Sequence, residues 1–432
     1  MRYYSLKHQS ALVDFKTATI NGQAPDKGLY FPEHIPQLPD AFFAEIDKVA
    51  NEEIAFQVIK PFVGDSIPEE VIYQIVAETI NFSIPLVKVT ENISTLEMFH
   101  GNTLAFKDVG ARFMSRCLGY FVKDNTQKVT VLVATSGDTG GAVADGFFGV
   151  EGVDVVILYP SGKVSSVQEK QLTTLGNNIH ALEVKGTFDD CQQLVKTAFA
   201  DRELSSDLFL TSANSINVAR WLPQQFFYFL AYKQWADKSM PPVISVPSGN
   251  FGNICSALLA MRSGLPVQHF IASCNVNDVV PRYMSSLEYN PQKAVPTISN
   301  AMDVGDPSNF VRILEMFTNA SSPLSAVFSA ISFTDEETKN TIKRVYNDYG
   351  YLLDPHGAIG FMGLENFLNK HPRQKGLFAE TAHPIKFYDV VEPLIGKAIE
   401  FPSSIQSIMH KEKKSTLINP TYNELVDYLK EL

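Results

Sequence analysis

KVTVLVATSGDTGGAVADGFF, residues 128–148, runs a β-branched strand pattern into a glycine turn and then into a helical pattern. Downstream the same alternation returns as VDVVILY (153–159), SSVQEKQLTTLG, IHALEV and FDDCQQLVKTAFA, then as PVISV, NICSALLAMRSG and VQHFIAS. It becomes irregular between about 274 and 330 and resumes with TDEETKNTIKRVYNDYG, PHGAIGFMGLENFLNK and GLFAE. Strands that alternate with helices imply an α/β protein with a mostly parallel, doubly wound sheet covered on both faces.

Upstream the pattern is different. Residues 1–90 carry helical segments at AFFAEIDKVA, NEEIAFQVIK and PEEVIYQIVAETI, divided by Pro36, Pro39, Pro61, Pro68 and Pro85, so a small, mainly helical N-terminal unit is expected. Residues 91–394 form the expected α/β core. The partly polar tail, 395–432, with HKEKKST, is expected to pack as a peripheral extension.

The chain has 432 residues, enough for two or three domains with large cores. A formal net charge of −11 argues against general attraction to nucleic acid or anionic membranes, so an anionic substrate needs a local basic pocket. Cys117, Cys191, Cys255 and Cys274 form no CxxC pair, which favours a reducing, cytoplasmic setting over a disulfide framework or a zinc site. The opening MRYYSLKHQSALVDFK is charged at Arg2, Lys7, Asp14 and Lys16, and no signal-peptide core is expected there.

Parallel sheets bind ligands beyond the carboxyl ends of their strands, which singles out the turns that follow strands and open helices. ATSGDTGGAVADG (134–146) offers a nest of backbone N–H groups suited to a carboxylate or phosphate, although a plain βα turn needs the same glycines. In VISVPSGNFGNICSALLA (243–260), Gly249 and Gly252 allow close backbone approach to a phosphate at a helix N-terminus. TSANSINVARWLPQQF (211–226) places Asn214, Ser215 and Asn217 just before Arg220, a set that suits a compact anion or simply caps a helix. The sequence contains no G-x-x-x-x-G-K-[ST], H-E-x-x-H or G-x-S-x-G, which disfavours a P-loop, a metalloprotease-type metal centre and an α/β-hydrolase. His356 in LDPHGAIG reads as part of a helix-opening turn. Lys107 in FHGNTLAFKDVGARF (99–113) stands alone at a helix start, outside any ladder of paired charges.

Taken together and in this order, HGNTLAFKD, SGDTG, NSIN with Arg220, PSGNFGN and ETAHPIKF closely resemble the threonine synthase family, a branch of the fold-type II, tryptophan synthase β-like pyridoxal-phosphate enzymes. The resemblance extends to MRYYSLKH and to GLYFPE at 28–33. It implies two doubly wound α/β subdomains carrying pyridoxal 5′-phosphate, with Lys107 as the lysine that bonds the cofactor. Gly249, Asn250, Phe251, Gly252 and Asn253 match the cofactor-phosphate cradle, and Thr381 the hydroxyl beside the pyridine nitrogen. Ser136, Gly137, Asp138 and Thr139 match the substrate-carboxylate loop, with Asp138 either there or facing the cofactor's phenolic oxygen. Lys163, Asn214, Ser215, Asn217 and Arg220 are the candidates for the substrate phosphate.

The implied reaction converts O-phosphohomoserine and water into threonine and phosphate. A related phospho-lyase that releases 2-oxobutyrate shares the early chemistry, and a non-catalytic ligand-binding protein is the alternative of a different class. Asn102, Val109 and Ser161 depart from the family pattern, where proline, a basic residue and arginine are common.

Overall fold

A computed structural model describes residues 1–123, 127–318 and 320–432. Its strands, in chain order, are β1 (Arg2–Ser5), β2 (Val13–Asp14), β3 (Tyr30–Pro32), β4 (Leu86–Lys88), β5 (Ile93–Glu97), β6 (Val129–Ala134) and β7 (Val153–Pro160), followed by β8 (Ile179–Val184), β9 (Phe209–Thr211), β10 (Val243–Pro247), β11 (His269–Cys274), β12 (Phe328–Ser332), β13 (Gly376–Glu380) and β14 (Thr416–Ile418). One sheet has the order β12-β11-β10-β13-β5-β4, and a second the order β14-β8-β7-β6-β9. Every pairing in them is parallel except that of β4 with β5. These are the two doubly wound sheets that the resemblance implied.

Every residue of β6, β7 and β10 is buried, as expected of strands with helices on both faces. The helix Lys107–Val122 buries Phe113, Met114 and Leu118 completely. Each of these side chains contributes about 1.5–3 kcal/mol relative to exposure. Helix Gln225–Gln234, QFFYFLAYKQ, is buried along eight consecutive residues, Gln225 to Tyr232, because it is apolar almost all round. A continuous apolar cluster joins Tyr3 and Phe15 of the N-terminal segment to Val131 and Val155 in one sheet and Ile244 and Phe270 in the other.

Two features extend the sequence reading. The mainly helical N-terminal segment also carries an antiparallel sheet of order β2-β1-β3. The tail adds β14 in parallel to β8, and Leu425 and Leu429 of helix Tyr422–Lys430 enter the apolar cluster over that sheet. No helix among the described residues is long and apolar enough to cross a membrane.

Candidate active site

The carboxyl ends of the parallel strands deliver the candidate residues. β6 leads through Ser136 and Gly137 into helix Asp138–Phe147, and β9 through Asn214 and Ser215 into helix Val218–Trp221. β10 leads through Gly249 and Phe251 into helix Gly252–Arg262, and β13 leads directly into Thr381. Lys107 is the first residue of its helix. Its preceding loop is pinned by Phe106 N–H donating to Thr381 O at 2.9 Å and His383 N–H to Leu104 O at 3.0 Å.

Lys107 Nζ lies 3.9 Å from Asp138 Oδ2, and the lysine side chain keeps 17% of its surface accessible. Burial lowers its pKa, as do the nearby charges of Lys386 and Arg220, while Asp138 works against them. Asp138 is held well below the usual carboxylate range despite its burial, chiefly by the charges of Lys386 and Lys107. Lys386 is completely buried, and its Nζ donates to Asp138 Oδ1 at 2.8 Å and to Thr103 O at 2.8 Å. Gln168 Nε2 donates to the same Asp138 oxygen at 3.0 Å.

Arg220 reaches this group because Gly110, in the Lys107 helix, has no side chain. A Cβ there would lie 2.6 Å from Arg220 O and 3.1 Å from Arg220 Nε. Arg220 is 3% exposed, and its Nη1 donates to Ala213 O. Nε has no partner. A buried donor without an acceptor is costly and is the kind of group that an incoming anion satisfies.

The Gly249 loop has the shape of a phosphate cradle. A Cβ on Gly249 would fall 2.5 Å from Met302 Cα, and Phe251 sits at φ 61°, which turns the chain sharply into the next helix. The N–H groups of Gly249, Asn250, Phe251 and Gly252 find no acceptor among the described residues. The Ser136 loop is similar. Thr135 Oγ1 takes the N–H groups of Gly137 and Gly140 at 3.0 and 2.8 Å, and no acceptor among the described residues takes those of Ser136, Asp138 and Thr139. Asn250 Nδ2 donates to Ser215 Oγ at 2.7 Å, so two loops read separately from the sequence are in contact.

Not every candidate side chain turns inward. Asn217 is fully buried and caps the helix Val218–Trp221, donating to Thr19 O at 2.8 Å and accepting from Ala219 N–H at 3.0 Å. Asn253 accepts from Tyr228 Oη at 2.5 Å and donates to Gln224 Oε1 at 3.1 Å, so its side chain belongs to the core. Lys163 is exposed on the turn after β7. Thr381 is 7% exposed, with a hydroxyl that has no partner among the described residues. His356 Nδ1 pairs with buried Asp354 Oδ2 at 2.5 Å, at the start of helix Pro355–Lys370.

Lys386 is absent from the candidates read from the sequence. Its signal was an isolated lysine inside the apolar run HPIKF, the same signal that singled out Lys107.

Comparisons with known proteins all point to one family. Family models match residues 91–377 as a pyridoxal-phosphate dependent enzyme, 2–80 as a threonine synthase N terminus and 357–428 as a threonine synthase C-terminal region. The chain is 42% identical over 434 residues to the threonine synthase of Buchnera aphidicola subsp. Schizaphis graminum, covering 100% of both chains. It superimposes on the crystal structure of Escherichia coli threonine synthase with a TM-score of 0.93 at 40% identity, with 100% of both chains covered. For the pyridoxal-phosphate-bound threonine synthase of Brucella melitensis the TM-score is 0.92 at 34% identity, covering 100% of this chain and 99% of the other.

Proposed function

The chain belongs to the threonine synthase family of pyridoxal-phosphate-dependent lyases, and from that premise we infer that its site converts O-phospho-L-homoserine and water into L-threonine and inorganic phosphate. The N-terminal residues 1–90 and the tail 395–432 are read as flanking units around the catalytic core 91–394. A cytoplasmic setting fits four free cysteines that are all buried.

The residues present fit the cofactor. The free N–H groups of Gly249 to Gly252 and the helix dipole behind them would hold its phosphate. Thr381 would meet the pyridine nitrogen with a neutral hydroxyl, and Lys107 would bond the aldehyde carbon. When bound, pyridoxal phosphate supplies an electrophilic carbon for the substrate amine and a ring that disperses the electron pair left at Cα.

The remaining work falls to the protein. The amides of Ser136, Asp138 and Thr139 bind the substrate carboxylate. The Asp138 side chain does not, since both of its oxygens face cations. Arg220, Asn214 and Ser215 bind the substrate phosphate, with Lys163 at the exposed edge.

Lys107, whose pKa burial lowers, takes the Cα proton, gives it up, and as a free amine again takes a Cβ proton. Phosphate leaves with the electron pair of the Cγ–O bond, and Cγ is protonated. Water adds its oxygen at Cβ, and a proton returned to Cα completes threonine.

The observation that carries this reading is buried Arg220, whose Nε has no partner among the described residues and whose charge bears on Lys107 in an acidic protein. Incubation of the protein with O-phosphohomoserine and pyridoxal phosphate is expected to yield threonine and phosphate in equal amounts. A dominant 2-oxobutyrate product would assign the phospho-lyase reaction instead.

A further inference from the structure

Two lysines share one carboxylate, and they share it unequally. Lys386 makes the short contact with Asp138, at 2.8 Å, whereas Lys107 stands 3.9 Å from the other oxygen. Lys386 has one further partner, which is itself held in place. Thr103 O accepts from its Nζ, and Gln171 Nε2 donates to that same carbonyl at 2.9 Å. Asp138 is likewise fixed, since Gln168 donates to it and it opens the helix Asp138–Phe147, where the dipole favours a negative charge.

The charged groups that face Lys107 are Asp138 from that helix, Lys386 from the turn Pro384–Phe387 and Arg220 from helix Val218–Trp221. The adjacent Asp108 is turned away, accepting from Thr103 N–H at 2.9 Å and from the Thr103 hydroxyl. Lys107 therefore meets two cations and one carboxylate already engaged in an ion pair.

We propose that Lys386 is a positioning residue that keeps Asp138 committed as its own ion-pair partner and thereby leaves Lys107 a neutral amine at physiological pH. A buried site holding two lysines and one carboxylate cannot comfortably keep both ammonium groups, and the lysine without the direct hydrogen bond is the one that gives up its proton. A cation beside a reactive lysine is a recognised way of activating it as a nucleophile. This inference rests on Lys107 being the cofactor-bonding lysine.

The experiment is competitive trace acetylation of the full-length protein freed of cofactor, across pH 6 to 11, with peptide mass spectrometry reading the titration midpoint of Lys107. In Lys386→Gln, which can still donate a hydrogen bond but carries no charge, Asp138 is released towards Lys107. The Lys107 midpoint is expected to rise by about one unit, which lowers its labelling at pH 7 about tenfold. Lys386→Arg restores the wild-type midpoint, and adding Asp138→Asn to Lys386→Gln lowers it again, neither of which a scaffolding role explains.

An unchanged Lys107 midpoint in Lys386→Gln would overturn the proposal. If that variant does not fold, Lys386→Met, which also carries no charge, decides by the same readout: a raised Lys107 midpoint supports the proposal, and an unchanged one overturns it. The underlying assignment is read separately. If Lys107→Ala, reduced with borohydride in the presence of pyridoxal phosphate, still gains the cofactor's mass, Lys107 is not the bonding lysine, whatever its midpoint.

Discussion

Asn250 Nδ2 donates to Ser215 Oγ across 2.7 Å, which ties the loop that opens helix Gly252–Arg262 to the loop that precedes helix Val218–Trp221. Asn309 Nδ2 donates to the same hydroxyl at 3.3 Å and to Asn250 O at 3.1 Å, so the join is braced from a third segment. The proposed pockets for the cofactor phosphate and the substrate phosphate therefore share a wall.

Ser215→Ala removes the shared acceptor and leaves the half-buried amide of Asn250 short of a partner, a loss of about 0.5–1.5 kcal/mol. Calorimetric titration is expected to show weaker binding of both pyridoxal phosphate and inorganic phosphate, each by up to about tenfold. Weakening of one ligand alone would mean that the two pockets are independent.

Arg220→Lys keeps a positive charge but loses the planar fork and the unused Nε. Loss of a charge-assisted hydrogen bond of about 1.5–3 kcal/mol corresponds to a KM for O-phosphohomoserine raised about 10- to 100-fold. The absorbance of the bound cofactor should not change. A fall in kcat at unchanged KM would place Arg220 outside the substrate-phosphate pocket.

These residues also show what a linear sequence can carry. The strand and helix alternation of 128–200 was legible because strands buried on both faces are written as unbroken apolar runs, and Lys107 was legible because nothing nearby in sequence could pair with it. β1, β2 and β3 were not legible, since strands of two to four residues are too short to display a period of two. Asn217 and Asn253 have the residue type of anion ligands, and only the packing of Thr19 and Tyr228 against them shows that they are spent on the core. Lys386 sits 279 residues from Lys107 in the chain, so its role depends on the sheet that brings β13 beside β5.

His383 supplies a pH dependence. Burial pulls its imidazole down to about 4 from the usual 6.5, with the positive charge of nearby His100 acting in the same direction. Its Nδ1 accepts Ile385 N–H at 3.1 Å, which only the unprotonated nitrogen can do. Between these two values the unfolded chain binds more protons than the folded one, so stability is full above pH 6.5 and falls as the pH drops towards 4. The loss reaches about 3 kcal/mol at most. His383→Asn retains an acceptor for the cap but does not titrate. Urea midpoints at pH 7 and pH 4.5 should drop less in the variant than in the parent protein, and equal drops would remove His383 as the cause.

The central claim, elimination of phosphate by cleavage of the Cγ–O bond followed by addition of water at Cβ, is tested most directly by running the reaction in ¹⁸O-labelled water and analysing both products by mass spectrometry. The account predicts one ¹⁸O atom in the hydroxyl of threonine and none in the released phosphate. Label in the phosphate with unlabelled homoserine as the organic product would show attack at phosphorus, and would contradict the roles given to Lys107 and Arg220.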